Sequence, residues 1–382
     1  DDIPLDWNEK ADRGIAWRFK PPLKGFSSPV VWKDRVFLAG AVKDRHELYC
    51  VDLADGTLRW TARRKPAEGV PTDYAIYPEL EGRGAHAIPT PVVDGQRVYA
   101  LYGSGEVVAF DIDSGEIAWE HYLGDAENNW YGLSSSPILY RDTFIALRDG
   151  ETGTVTALDL ATGKRRWRAE RDDHTWASPI LFHPPGDGET QLIIAGSPLL
   201  SGWNPNSGKL LWKAEMLGAD QAVCPIQVGA RVIMTYGFAF AMRTDGRGDV
   251  TKSHLVWEQF DLQEGGFPTV ASPVHDGERI YFHAYDYLTA LKADNGEVVY
   301  EARLPAETGY CSPSLIGGDT LLVFARDEGR AFVIRAGATY KLLRECSLNE
   351  TVTVPPAFAP GRIVIRAEEH VYGIGKPAGE GE

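Results

Sequence analysis

The sequence predicts an all-β fold, a single eight-bladed β-propeller of four-stranded blades. Three observations predict it: a recurring turn that ends in Trp, a recurring small-residue–Pro step, and chain ends that complement one another. The turn appears as Asp52–Trp60 with Asp55-Gly56 inside it, and returns as Asp111–Trp119 and Asp159–Trp167. A weaker copy runs Asn204–Trp212, and Lys292–Tyr300 keeps Asn295-Gly296 but replaces the indole with a phenol. In each copy a small polar residue followed by Gly supplies the positive φ of a tight hairpin turn. Alternating apolar residues flank the turn, which reads as strand, turn, strand. Repeated Trp residues (Trp17, Trp60, Trp119, Trp167, Trp212, Trp257) are expected in the core, packed between neighbouring units.

The second signal lies upstream of each turn. It reads Ser28-Pro29, Thr90-Pro91, Ser136-Pro137, Ser178-Pro179, Cys224-Pro225, Ser272-Pro273, Ser312-Pro313 and Pro355-Pro356, which gives eight units. Pro137 and Pro179 are 42 residues apart and Pro225 and Pro273 are 48 apart. Four-stranded blades repeat at about that spacing. The last unit stops after His370–Ile374 without a Trp strand, and Gly14–Phe19 near the N-terminus is the strand it lacks. That strand is expected to complete the last blade and remove an open sheet edge. Residues 1–375 are thus expected to form one domain, with 376–382 a disordered tail.

Aromatic residues are 11% of the chain, as short strands and tight turns require. A formal charge of −15 argues against nucleic acid or an anionic membrane surface as a partner. No apolar run approaches the length of a membrane span. No signal-peptide pattern opens the given sequence, so export is not read from it directly. The four cysteines show no adjacent pair and no C-x-x-C, and are expected to be buried, inert thiols. Cys224 and Cys311 are offset by one position relative to their prolines and should face opposite sides.

Tandem copies such as Ala109–Trp119 and Ala157–Trp167 fit the pattern Ala-x-Asp-x-x-Thr-Gly-x-x-x-Trp. The chain thereby resembles the quinoprotein-type propeller family over nearly its whole length. One branch of that family is the PQQ-dependent dehydrogenases. The other is non-catalytic propellers such as the outer-membrane assembly lipoprotein BamB. An insertion, Met242–Thr251, before Val256-Trp257 is similar to stand-alone PQQ-like repeat proteins of planctomycete-type bacteria. The enzyme branch implies PQQ, a Ca²⁺ held by Glu, Asn and Asp oxygens, an Asp base and an adjacent Cys-Cys disulfide. This chain has no adjacent cysteines, is much shorter, and offers no such constellation to carry over. No catalytic residue, metal ligand or cofactor is therefore assigned, with PQQ and Ca²⁺ kept as the alternative.

The non-catalytic branch implies an exported, monomeric protein of the periplasm or cell envelope that binds a protein or envelope ligand through its loop-bearing face. In a propeller the loops preceding the inner strands gather on that face, and aromatic residues with a few polar groups there form a default binding site. These loops supply Phe26, Arg83, His86, Trp130, Tyr131, His174, Trp176, Gln221, Phe267 and Tyr310, with Asp220 and Glu350 beside them. The loops between second and third strands add Arg45-His46, Arg148-Asp149, Tyr285-Asp286 and Arg326-Asp327-Glu328. The connection 61–87 is far longer than its counterparts, basic at Arg63-Arg64-Lys65 and aromatic at Tyr74 and Tyr77. Loops of that length are commonly functional, and a partner-docking arm is the reading adopted. A carbohydrate-binding propeller is the remaining alternative, suggested by the same aromatic mouth.

Overall fold

The computed structural model describes residues 3–70, 85–124, 132–149, 153–216, 218, 222–326 and 329–377. Among them every regular element is a strand, and the strands form eight sheets that are the blades of an eight-bladed β-propeller. The chain resolves into two compact units, Asp1–Asp172 with Pro356–Glu382, and Asp173–Pro355.

The first unit holds four blades. Blade 1 runs Val30–Trp32, Arg35–Val42, Arg45–Asp52 and Leu58–Arg64. Blade 2 runs Val92–Val93, Arg97–Leu101, Glu106–Asp111 and Ile117–Tyr122, and blade 3 Ile138–Tyr140, Thr143–Arg148, Gly153–Asp159 and Arg165–Arg171. Blade 8 takes Ala357–Ala359, Arg362–Arg366 and Val371–Ile374 from the far end of the chain, and Ile15–Phe19 as its fourth strand. The antiparallel register Trp17↔Gly373 and Phe19↔Val371 is the closure that the sequence predicted. The second unit holds blades 4 to 7, whose outer strands are Leu210–Glu215, Leu255–Gln259, Val298–Arg303 and Lys341–Ser347.

The repeat residues hold one blade to the next. In the turn of blade 2, Asp111 Oδ1 accepts from the N–H of Ser114 (2.8 Å), and the N–H of Gly115 donates to the Asp111 carbonyl (2.9 Å). Gly115 has φ +73°, and a Cβ there would fall 2.7 Å from the Trp60 ring of blade 1. Both demands select glycine. Trp119 lies likewise over Gly163, and donates its indole N–H to the Leu160 carbonyl at 2.8 Å. In the second unit Trp257 covers Gly296 in the same way. Trp17, Trp119, Trp212 and Trp257 are buried, whereas Trp60 and Trp167 are half-buried, because each outer strand turns one flank to solvent.

The small-residue–Pro step has an equally local cause. The N–H of Ser28 donates to Thr90 Oγ1 (3.1 Å), and that of Thr90 to Ser136 Oγ (3.0 Å). In the second unit Ser178 donates to Cys224 Sγ (3.2 Å), Cys224 to Ser272 Oγ (2.9 Å), and Ser272 to Ser312 Oγ (2.9 Å). At each of these five steps a blade satisfies a backbone donor of the blade before it. Cys224 is an acceptor in this belt, a role beyond the inert filler that the sequence suggested. All four cysteines are free.

The insertion in blade 5 adds a feature the sequence did not announce. Gly248–Asp249 pairs in parallel with Trp212–Lys213, the outer strand of blade 4, making that sheet five-stranded. Blade 5 lacks the Asp-x-x-Thr-Gly turn, and the Trp212 indole N–H donates instead within its own blade, to Gln191 Oε1 at 2.7 Å.

Candidate partner-binding face

In the first unit the hairpin Val42–Arg45 and the end of the outer strand of blade 1 build a charged surface over a buried polar network. The register sets His46 opposite Arg64 and Glu47 opposite Arg63. Side chains alternate across a strand, so His46 and Arg64 face blade 2, while Arg45, Glu47 and Arg63 share the other side.

Toward blade 2, Arg64 Nη2 donates to Glu106 Oε1 at 2.8 Å and to Glu120 Oε2 at 3.2 Å. Glu106 also accepts from the Ala67 N–H (2.9 Å) and the Ser104 hydroxyl (3.0 Å). Burial pushes its carboxyl up, but the Arg64 and Ala67 donors outweigh burial and hold it below the usual carboxylate range. His46 is fully buried and stacks flat on Tyr102, with ring centroids 4.3 Å apart. Its Nδ1 is 3.6 Å from Glu106 Oε2, and neither ring nitrogen makes a hydrogen bond. Burial drives its pKa down to about 4 against the pull of Glu106, so the ring is neutral at pH 7.

On the other side, Glu47 Oε2 accepts from the Tyr49 hydroxyl at 2.5 Å, and Oε1 lies 3.1 Å from Arg63 Nε and 3.5 Å from Arg45 Nε. Arg366 of blade 8 is buried close by. Its Nη1 donates to the carbonyls of Ser27 (3.1 Å) and Ala39 (2.9 Å) and to Ser27 Oγ (2.8 Å), and burial lowers its pKa to about 10. Above this network opens a surface pocket of about 550 Å³, lined by Val42, Asp44, Arg45, Arg63, Arg64 and Lys65.

Among the residues expected at the binding face, Phe26 is half-buried, and its N–H bonds the Ala87 carbonyl at 3.0 Å. His86, expected at the solvent-facing mouth, is 1% exposed, and its carbonyl accepts from Gly103. Asp149, expected on the loop-bearing face, is instead buried against Arg171, whose side chain is fully buried. Tyr74, Tyr77, Arg83, Trp130, Tyr131 and Gln221 lie outside the described residues, as do Asp220, Asp327 and Glu328 and the end of the tail.

The second unit places its expected residues in distinct settings. His174 is exposed and meets half-buried Trp176 edge-on, at 5.9 Å between ring centroids. Phe267 stacks inward on Phe282 at 5.5 Å. Tyr310 is 58% exposed, beneath the Arg326 guanidinium at 5.9 Å. Arg326 in turn reaches Glu307 at 3.2 Å.

Sequence reasoning singled out Arg45-His46 and the basic Arg63–Lys65 but missed Glu47 and Glu106. Cys50, Ala109, Ala157 and Ala290 are the residues opposite the repeat aromatic. Three positions before them stand Glu47 and Glu106 in blades 1 and 2, but Thr154 and Tyr287 in blades 3 and 6. Acids recurring at one repeat position were the available signal.

A family model described as "Outer membrane protein assembly factor BamB" matches residues 8–175 and 151–312. The chain belongs to that family. Among curated relatives, a BamB from Alkalilimnicola ehrlichii is 23% identical over 224 residues, or 56% of this chain and 53% of that protein. This chain thus spans about half of that relative's length. A solved BamB from Moraxella catarrhalis superposes with a TM-score of 0.67 at 13% identity, covering 96% of this chain and 98% of the other. A quinohemoprotein alcohol dehydrogenase from Comamonas testosteroni gives 0.68 at 12%, covering 97% and 77%. Identities that low show the fold alone. The quinoprotein likeness raises the question of a bound quinone and its cation. Among the described residues no group of three or more His, Cys, Asp or Glu side chains is arranged to hold a metal ion. Among them, no helix is long and apolar enough to cross a membrane.

Proposed function

We propose that this protein is a non-catalytic binding propeller of the bacterial cell envelope that recognises a protein partner through the loop-bearing ends of its blades. The observation that carries this reading is membership of the BamB family over residues 8–312. The geometry supports it. The charged groups of the first unit are engaged with one another in a fixed network, which suits recognition of a complementary surface. Neither the buried His46 nor the buried Arg366 is placed to exchange protons with a bound substrate, since both are sealed from solvent.

The test is chemical cross-linking of the purified protein to envelope extracts, with identification of the captured species by mass spectrometry. A defined envelope protein, captured saturably and lost on addition of excess unlabelled protein, is expected. A parallel titration with PQQ and Ca²⁺, followed by thermal shift, is expected to leave Tm unchanged. A calcium-dependent rise in Tm would overturn the non-catalytic reading.

A further inference from the structure

The pocket at the end of blade 1 is built differently from the rest of a chain whose formal charge is −15. Its lining holds four cationic side chains and one acid, Asp44. The carboxylates that balance the cations lie mostly beneath them. Glu47 and Glu106 have side chains 2% and 4% exposed, whereas Arg45 and Arg63 are 52% and 64% exposed. A ligand arriving from solvent therefore meets guanidinium and ammonium groups first. Arg64 adds a second indication. Its side chain is 7% exposed and lines the pocket, yet its Nη1 makes no hydrogen bond. A buried guanidinium N–H without an acceptor is costly, and an oxyanion in the pocket would supply one on an outward turn of the Arg64 head group.

We propose that this pocket is a carboxylate-binding site that receives acidic side chains of the protein partner; it rests on the reading of the protein as a partner-binding propeller. Size favours a peptide over a single small ion. A volume of about 550 Å³ is many times the roughly 30 Å³ of one water molecule, and lies in the range of about 300–1,000 Å³ that holds larger ligands. Position favours it too. Arg63 and Arg64 end the outer strand of blade 1, which is the edge of its sheet, so an extended segment can approach alongside it. The planar guanidinium fork of Arg matches a carboxylate bidentately, which gives specificity as well as attraction.

The experiment measures fluorescence anisotropy of a short fluorescein-labelled peptide of alternating Glu and Ser, against the same peptide with Gln for Glu. The full chain is used, at low and at physiological salt. The Glu peptide is expected to bind, more weakly as salt rises, and the Gln peptide to stay free. Arg45→Ser with Arg63→Ser should weaken binding by about tenfold or more. Because that double variant strips Glu47 of its two arginine partners and can destabilise the blade, Lys65→Glu is the second variant. Lys65 reverses charge at the rim, and about a threefold loss is expected. Equal binding of the two peptides, or wild-type affinity in both variants, would overturn the proposal. So would displacement of the peptide by inorganic phosphate at matching concentration, which would make this a phosphate site. The broader reading fails separately. If no envelope protein cross-links while the Glu peptide binds, the pocket stands and the function proposal falls. If cross-linking persists undiminished in both variants, the reverse holds.

Discussion

His46 in the first unit and His283 in the second are both fully or almost fully buried, and burial drives both to a pKa of about 4. Their surroundings are opposite. His283 Nε2 lies 2.9 Å from the Cys311 carbonyl, which only accepts, so that nitrogen carries the proton; Nδ1 faces the Thr308 hydroxyl at 2.8 Å, which also donates to the Tyr285 carbonyl at 2.6 Å. Both ring nitrogens thus have a polar partner within 3 Å. His46 has no hydrogen bond and sits among Glu106, Arg64 and Tyr102. The same low pKa thus accompanies a finished structural joint in one unit and an uncommitted ring within a charged network in the other. Burial alone does not tell which a histidine is; its partners do.

The largest effect should separate the two rings. His283→Ala leaves the Cys311 carbonyl without its ring partner and opens a cavity, and should cost about 3–4 kcal/mol by urea denaturation. His46→Phe keeps the stack on Tyr102 and loses no hydrogen bond, so its effect should stay within about 1 kcal/mol. Equal losses would erase the distinction.

Acidification should affect both units alike. Each histidine takes up a proton near pH 6.5 when unfolded but only near 4 when folded, so the unfolded state gains protons first. Stability is therefore complete above about pH 6.5 and is lost as pH falls toward 4. Each ring should contribute about 2 kcal/mol of loss between pH 7 and 5. Denaturation of the wild type and of His46→Phe at both pH values measures one share directly, and an unchanged slope would contradict it.

The seam between blades should not distinguish the units. Gly163→Ala and Gly296→Ala each place a Cβ 2.5 Å from a Trp ring at φ +69° and +75° respectively. Both should cost about 2 kcal/mol in thermal or urea melts. A large inequality would mean that the seam, and not only the buried polar groups, differs between the units. The smallest effects belong to the belt. Thr90→Val removes an acceptor in the first unit and should cost about 1 kcal/mol. Cys224→Val should cost less, sulfur being the weaker acceptor, and Cys224→Ser should change stability by under about 0.5 kcal/mol.

Much of this architecture was legible because it repeats. Copies of Asp-x-x-(Thr/Ser/Asn/Asp)-Gly and of the Pro step each mark a local requirement, and a requirement met several times over is visible without neighbours being known. The strand Ile15–Phe19 was legible for the same reason, as the missing member of a set. What did not repeat stayed hidden. Gly248–Asp249 has no strand-forming residue, and its pairing with Trp212–Lys213 is decided by a distant edge in need of cover. The Glu106–Arg64 pair joins two blades through residues 42 positions apart, a partnership that periodicity within one repeat does not encode.

The pairing of Ile15–Phe19 with Val371–Ile374 also fixes an order of events. Of the strands in the eight blades, Ile15–Phe19 comes first in the chain and its partner Val371–Ile374 last, so blade 8 must wait until the strands of the other seven have emerged. Contacts so distant in sequence are slow to form, and the unpaired edge stays open meanwhile. Blades 1 to 3 and 4 to 7 can assemble from neighbours as they appear, leaving the clasp to be fastened last. A chaperone that shields one strand of the newborn chain would have the most to protect at Ile15–Phe19.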